Sequence, residues 1–137
     1  MTPVDQTEFY EAGKSHGNCQ QAAVASLLGL SLDEVPNFIK HPHGFWQSFW
    51  EFMAGRGLVV IEMSGERHFD CYHLAYGPSA RGISHAVVYR YAKLAHDPHP
   101  SRAGLLSVET TALLLPADLA DWTGPPEKLA RWGSARP

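Results

Sequence analysis

The sequence predicts a small domain of mixed structure, with helices in its first half and strands in its second. Two observations lead to this prediction. Small and apolar residues recur at helical spacing before residue 55, and short apolar runs separated by turn residues follow it. A length of 137 residues suits one domain with one hydrophobic core. We place that domain at residues 1–123 and predict a loosely held tail at residues 124–137, where Gly, a Pro-Pro pair and polar residues gather.

The first predicted helix covers residues 19–28. Asn18 belongs to the residue types that cap helix N-termini, and Gly29 to the type that ends helices. A second, amphipathic helix is predicted at residues 45–54. Its apolar face is predicted to consist of Trp46, Phe49, Trp50 and Met53. We expect this aromatic face to lie in the core, although a ring at its edge, such as that of Trp50, could line a cleft.

The remaining elements are predicted from apolar runs between turn residues. Strands are expected at residues 58–63, 72–76, 84–90, 94–97, 105–108 and 112–115. Other segments are expected to be an irregular lead-in at residues 1–18, a Gly- and Pro-containing loop at residues 77–82 and a short helix at residues 116–122.

The charge balance argues against a nucleic-acid or membrane partner. The net charge is −3 with His neutral, and the 11 Lys and Arg residues are scattered without a basic stripe. No apolar run approaches the roughly 20 residues that a membrane-spanning helix needs, and no secretory leader pattern occurs. We therefore expect a cytoplasmic protein in which Cys19 and Cys71 are free thiols. The sequence leaves the oligomeric state open.

Eight histidines are many for this length, so a metal site has to be considered. No Cys-x-x-Cys and no His-Glu-x-x-His pattern occurs, and His41, His43, His96 and His99 lie close to prolines in predicted turns. We expect no metal and no other cofactor. A structural zinc site is the less favoured alternative.

Cys19 stands where a loop becomes a helix. A thiol at the N-terminus of a helix lies at the positive end of the helix dipole, which favours the nucleophilic thiolate. Small residues behind it, such as Ala22 and Ala23, allow the helix to lie close to a partner. The alternative is a buried, inert cysteine.

A histidine and an aspartate stand at the ends of two successive predicted strands, in His85-Ala86-Val87-Val88 and His96-Asp97-Pro98. A hairpin that turns around Tyr91 places His85 directly opposite Asp97, and opposite residues of an antiparallel pair point to the same side. The carboxylate can then orient the imidazole and stabilise its protonated form. Nucleophile, base and orienting group are the parts that covalent acyl chemistry requires. The alternatives are a strand-end histidine and a turn-forming Asp before Pro.

The helix-opening cysteine, the His-Ala-Val-Val strand and the His-Asp-Pro segment, in that order, resemble the papain-like cysteine peptidases. The pattern is most similar to the double-glycine leader peptidase domains of exporters. The Gly17-Asn18-Cys19 piece also resembles the Asp-Gly-Asn-Cys box of ovarian-tumour-type deubiquitinases, with His16 in the place of the Asp. The whole sequence is similar to small bacterial or phage proteins of this type, and the resemblance covers about Gln6 to Pro98.

The resemblance implies an α+β papain-like fold, in which the helix that bears the cysteine packs on a small antiparallel sheet. It also implies an oxyanion hole made by the Cys19 backbone N–H and usually a Gln side chain. That Gln normally stands where this chain has Gly13, so Gln6 is the best substitute and Asn18 the alternative. The loop at residues 77–82 precedes His85 and would border the cleft. Its substrate-contacting residues are expected to be Gly77, Pro78 and Ser79, unless the loop is an ordinary turn.

The sequence therefore predicts a cysteine hydrolase, a peptidase or isopeptidase, acting on a peptide or protein substrate through a thioester. Cys19 is the expected nucleophile, His85 the acid and base, and Asp97 the orienting group. Two alternatives use the same scaffold. One is a catalytically weak binding module, and the other is an amide transferase or deamidase, which shares the first half-reaction.

Overall fold

The structure, a computed structural model, describes residues 1–117. The short helix predicted at residues 116–122 would begin at Pro116, which instead ends a strand. Residues 118–122 of that helix, the domain boundary predicted at residue 123 and the tail predicted at residues 124–137 lie outside the described residues.

Two helices and an antiparallel sheet make up the described fold, which confirms the expected α+β class. The helices are α1 (Cys19–Leu28) and α2 (Phe45–Gly55), and a short 3-10 turn lies at Leu32–Glu34 between them. The strands are β1 (Tyr10–Glu11), β2 (Ser15–His16), β3 (Leu58–Ser64), β4 (Tyr72–Pro78), β5 (Ser84–Arg90), β6 (Lys93–His96) and β7 (Thr110–Pro116). Five of them form one sheet in the order β3-β7-β4-β5-β6, and β1 pairs with β2 in a separate hairpin.

Helix α1 has the predicted bounds, but the side chain of Asn18 makes no capping hydrogen bond to its first N–H groups. Gly29 adopts the left-handed conformation that ends a helix (φ 69°). Ala22, Ala23 and Ala25 are fully buried, so the helix lies close to β4 and β5. This close packing holds the first residue of α1, Cys19, beside the start of β5.

The buried face of α2 differs from the predicted one. Phe49 and Met53 are fully buried as expected, but Trp46 and Trp50 are 56% and 43% exposed. The core side of α2 is instead completed by Phe45, Ser48 and Phe52. Phe38, from the loop before α2, packs edge-on against three phenylalanines of the helix. This contact turns the phenylalanine face, and not the tryptophan face, toward the core.

The predicted strand at residues 105–108 is absent from the described structure, in which this segment is a loop and Leu106 is exposed. The loop still touches the sheet at two points. The N–H of Leu106 donates to the carbonyl of Pro78, and the N–H of Glu109 donates to that of Tyr76, each at 2.8 Å. The segment therefore passes over β4 and leads directly into β7.

The first residues of the chain are tied to both sides of the fold. The N–H of Val4 donates to the Ser26 hydroxyl on α1 at 2.9 Å, and Nε2 of His96 donates to the carbonyl of Val4 at 2.9 Å. The lead-in therefore bridges α1 and the end of β6. Neither helix in the described part of the chain has the length and apolar composition needed to cross a membrane.

Candidate active site

Cys19 is the first residue of α1 and lines a cavity. Its side chain is partly buried, whereas Cys71, the other cysteine, is exposed. The first N–H groups of a helix have no partner inside the helix, and together with the helix dipole they make a positive environment. Such an environment is characteristic of reactive cysteines.

His85 and Asp97 meet in the interior beside this cavity. Nε2 of His85 lies 2.6 Å from Oδ1 of Asp97, and the two side chains are only 1% and 0% exposed. The two residues stand 12 positions apart in the sequence. The β5–β6 hairpin brings them together.

The register of that hairpin differs from the predicted one. Tyr89 pairs with Leu94 near the turn, but Val88 pairs with His96, so Ala95 is the extra residue of a β-bulge. The predicted register, which placed His85 directly opposite the aspartate, is therefore wrong. A bulge bends its strand and redirects the residues beyond it. Asp97 follows immediately after β6 and reaches His85 from a bent segment.

The carboxylate of Asp97 accepts three hydrogen bonds. Oδ1 accepts from His85 and from the backbone N–H of His99 at 2.8 Å, and Oδ2 accepts from the N–H of Gly104 at 2.7 Å. Burial by itself raises the pKa of Asp97, but the hydrogen bonds from His85 and the two backbone groups outweigh it and lower the pKa to about 2. The carboxylate therefore stays charged at neutral pH.

The protonation of His85 follows from its neighbours. Burial lowers the pKa of His85, but the hydrogen bond with Asp97 and the proximity of Cys19 outweigh it and raise the pKa to about 9. Because Nε2 faces Asp97, Nδ1 is the ring nitrogen left for the sulfur of Cys19. The imidazole is thus protonated at neutral pH and carries a proton on each nitrogen.

Gln6 lines the same cavity as Cys19 and His85. Its N–H donates to the carbonyl of Pro98 at 3.1 Å, which ties it to the segment that carries the aspartate. Its Nε2 donates to the carbonyl of Glu8 at 2.9 Å, and Oε1 is buried without a partner among the described residues. An amide NH2 group has two protons, so one donor of Gln6 remains for another acceptor.

Asn18, the second oxyanion candidate, points elsewhere. Its Oδ1 accepts the N–H groups of Thr7 and Glu8 at 3.0 and 2.8 Å, and its Nδ2 donates to Thr7 and Gln21. It lines a different, shallow surface pocket that does not include Cys19. The side chain of Asn18 fastens the lead-in to α1 and is not directed into the cavity.

Arg102 and Asp5 form a clamp that sequence reasoning missed. Nη1 and Nη2 of Arg102 donate to the two carboxylate oxygens of Asp5 at 2.6 and 2.8 Å, and Nη1 also donates to the carbonyl of Asp97 at 2.5 Å. The clamp joins the residue before Gln6 to the loop that follows Asp97. No local signal reveals it, because 97 positions separate the two residues.

The cavity has a volume of about 270 Å³. Phe9, Tyr10 and Ile83 supply apolar surface, and Arg81 and His99 supply polar groups. The sequence indicated only a turn at His99, but its ring packs edge-on against His85, with 6.3 Å between ring centroids. Burial and the positive charge of Arg81 lower the pKa of His99.

The expected substrate-contacting residues lie apart from this cavity, which Trp50, Gly77, Pro78 and Ser79 do not line. Gly77 and Pro78 belong to β4. A Cβ atom on Gly77 would collide with the backbone carbonyl of Ser107. The absence of a side chain at Gly77 therefore allows the backbone of Ser107, and not a substrate, to pack against β4. Arg81, Ile83 and Ser84 are the cavity residues from this region.

Comparisons of the chain with protein-family models, with curated proteins and with solved structures found no match. Within residues 1–117, no three His, Cys, Asp or Glu side chains converge in a way that could hold a metal ion. A protonated imidazole, fixed by a buried carboxylate and facing the cavity of a helix-start thiol, has the groups needed to transfer an acyl group through a thioester.

Proposed function

We propose that the protein is a papain-like cysteine hydrolase that cleaves an amide bond, as a peptidase or an isopeptidase. The observation that supports this most strongly is the buried His85–Asp97 pair beside the cavity of Cys19. Burying two charges is costly, and such a pair adds little to stability compared with apolar residues. Paired groups with strongly shifted pKa values at a cavity are typical of functional sites.

The arrangement of elements supports the papain-like part of the proposal. The helix that begins with Cys19 packs on the antiparallel sheet, and His85 and Asp97 come from the strand pair β5 and β6 and its end. Nucleophile and base thus reach the cavity from opposite sides of one packed interface. We therefore include the papain-like fold in the proposal.

In the first half-reaction, the Cys19 thiolate attacks the carbonyl carbon of the substrate amide. A C–S bond forms, and the electron pair of the C=O bond moves to the oxygen. As the tetrahedral intermediate collapses, the C–N bond breaks and the Nδ1 proton of His85 passes to the departing nitrogen. An amine, a thioester on Cys19 and a neutral imidazole result, while Asp97 holds the ring in place throughout.

In the second half-reaction, the neutral imidazole of His85 takes a proton from water as the oxygen attacks the thioester. The C–S bond breaks, the thiolate re-forms beside the imidazolium, and a carboxylic acid is released. The negative oxygen of each tetrahedral intermediate needs hydrogen-bond donors. We assign these to the backbone N–H of Cys19 and the remaining amide proton of Gln6, and one such donor contributes about 3 kcal/mol.

Both cysteines are free, which agrees with a cytoplasmic location as part of the proposal, because thiols persist in reducing compartments.

The two thiols also provide an internal test. Cys71 is exposed and Cys19 is partly buried, so accessibility alone predicts faster alkylation of Cys71 by iodoacetamide. The proposed function predicts the reverse near neutral pH, since the thiolate is the reacting species. Peptide mapping by mass spectrometry after partial reaction measures both rates in one sample, and a faster Cys71 would contradict the proposal.

Electrophilic peptide and ubiquitin-like probes test the class of reaction directly. Covalent labelling should occur at Cys19, should vanish in Cys19→Ala and should persist in the matched control Cys71→Ala. Noncovalent binding without labelling would instead indicate a binding module. Release of ammonia from a glutamine-containing peptide, without chain cleavage, would indicate deamidation on the same scaffold.

A further inference from the structure

The cavity beside Cys19 presents the positive charge of Arg81 to an entering group. Arg81, His85 and His99 line it, and no carboxylate is among the lining residues in the described part of the chain. The charge of His85 is balanced by Asp97, whose Oδ1 lies 2.6 Å from Nε2, and the lowered pKa of His99 favours its neutral form. A ligand group in the cavity therefore meets the guanidinium of Arg81 with no carboxylate beside it among the lining residues of the described chain.

Arg81 is the fixed cation of this cavity and has no carboxylate partner within residues 1–117. Its nearest polar contact is the hydroxyl of Ser101, at 3.5 Å. Two other arginines differ in this respect, because Arg90 pairs with Asp70 and Arg102 is clamped to an aspartate. The guanidinium of Arg81 is thus available to an anion from outside the chain.

The backbone holds Arg81 in position. The N–H and the hydroxyl of Ser79 both donate to the carbonyl of Ile83 at 2.9 Å, and the N–H of Gly82 donates to the carbonyl of Ser79 at 3.0 Å. Ser79 itself is buried, so the turn is anchored in the protein. The exposed residue of this turn, Arg81, stands four positions before His85 and lines the cavity.

We propose that the cavity selects a substrate with a carboxylate close to the scissile carbonyl, and that Arg81 is the residue that recognises it. This inference rests on the proposed hydrolase function. The cavity, of about 270 Å³, is large enough for a side chain or a chain end that carries the carboxylate. The carboxylate belongs either to an Asp or Glu side chain or to a free C-terminus. The guanidinium group of an arginine can bind either kind of carboxylate through two parallel hydrogen bonds.

Two small alkylating reagents test this without knowledge of the substrate. Iodoacetate and iodoacetamide have nearly the same size and differ in carrying a carboxylate or a neutral amide. The measured quantity is the alkylation rate with iodoacetate divided by the rate with iodoacetamide at Cys19. The same ratio at exposed Cys71 is the internal reference. We expect a higher ratio at Cys19 than at Cys71, and a decrease with added salt.

Variants then separate Arg81 from the imidazolium of His85, which also attracts anions. Arg81→Gln should lower the Cys19 ratio by about two- to fivefold, the range for one exposed ion pair, and Arg81→Lys should retain most of it. Arg67→Gln is the matched control, because Arg67 is exposed and does not line the cavity. An unchanged ratio in Arg81→Gln, or an equal change in Arg67→Gln, would overturn the assignment.

The outcomes distinguish this inference from the proposed function. Rapid alkylation of Cys19 by iodoacetamide with no Arg81-dependent preference would refute the carboxylate selection and leave the hydrolase proposal intact. Slow alkylation of Cys19 by both reagents would overturn both. Three electrophilic peptide probes then identify which carboxylate is preferred. One carries a Glu side chain beside the reactive group, one carries Gln as the neutral control, and one carries a free terminal carboxylate.

Discussion

Nε2 of His85 lies 2.6 Å from Oδ1 of Asp97, although the two residues do not pair across the β5–β6 ladder. The bulge at Ala95 bends the end of β6, and the backbone N–H groups of His99 and Gly104 then hold the carboxylate. The aspartate is therefore fixed from three directions. Its charge and position set both the orientation and the protonation of the imidazole.

Asp97→Asn is expected to lower the alkylation and hydrolysis rates at Cys19 by about 10²- to 10⁴-fold, because the amide cannot stabilise the imidazolium. The measurement is the second-order rate constant for iodoacetamide at neutral pH. Asp70→Asn is the matched control, since Asp70 lies in an exposed pair with Arg90 and should leave the rate unchanged. A wild-type rate in the Asp97 variant would remove this residue from the proposed machinery.

The rate of substrate hydrolysis should also depend on pH through His85. With its pKa raised to about 9, the imidazolium keeps the proton that it donates to the leaving group up to about pH 9, and activity falls above that value. In Asp97→Asn the fall should begin at lower pH, because the hydrogen bond that outweighs burial is gone. A pH–rate profile of both proteins checks this, and identical alkaline limbs would contradict it.

The same pair should shape the pH dependence of stability. The pKa of Asp97 is lowered from 3.8 to about 2, so its contribution is fully present above pH 3.8 and is lost as pH falls through about 2. The pKa of His85 is raised from 6.5 to about 9, so its contribution is fully present below pH 6.5 and is lost as pH rises through about 9. Urea unfolding across pH measures the free energy of unfolding. His85→Gln should lack the alkaline loss, and an equal loss in that variant would assign it to other groups.

Removing the clamp between Asp5 and Arg102 should impair activity more than stability. Both side chains are about half exposed, so the ion pair itself adds little to folding. Arg102→Ala frees the segment that carries Gln6 from the loop after Asp97, and we expect a decrease in kcat of about ten- to a hundredfold from misplacement of the site.

The control for that variant is Arg90→Ala, which removes an exposed ion pair of the same kind away from the cavity. Its kcat should match that of the wild type, and the thermal midpoints of both variants should lie close together. If both variants lose activity equally, the clamp has no special positioning role.

Gly77→Ala should destabilise the fold by about 1–3 kcal/mol, because a Cβ atom there collides with the backbone of Ser107 and cannot be accommodated by a side-chain shift. Gly55→Ala, at the end of α2, is the matched control. A Cβ on Gly55 meets nothing within 4 Å, so that change should be neutral or stabilising by up to about 1 kcal/mol. Chemical denaturation of the two variants measures the difference. Equal stabilities would contradict the close approach of residue 107 to β4.

Local signals determined the first helix and the position of its cysteine. Gly29 marks the end of α1, and the predicted bounds of α1 and of β5 agree with the structure, although the side chain of Asn18 does not cap the helix. Such signals are readable because backbone propensities and caps act within a few residues. The spacing of Cys19 and the later histidine also indicated the residues that now share a cavity.

Only the tertiary structure decided how the groups meet. The bulge at Ala95 lies in the pairing of β5 with β6, and the buried face of α2 depends on Phe38 from another segment. The pairing of Asp5 with Arg102 joins chain positions that no local rule connects. Each of these depends on the free energy of the whole packed chain. Sequence by itself therefore determined which chemical groups are present and which elements carry them, whereas long-range packing determined their orientation, charge and contacts.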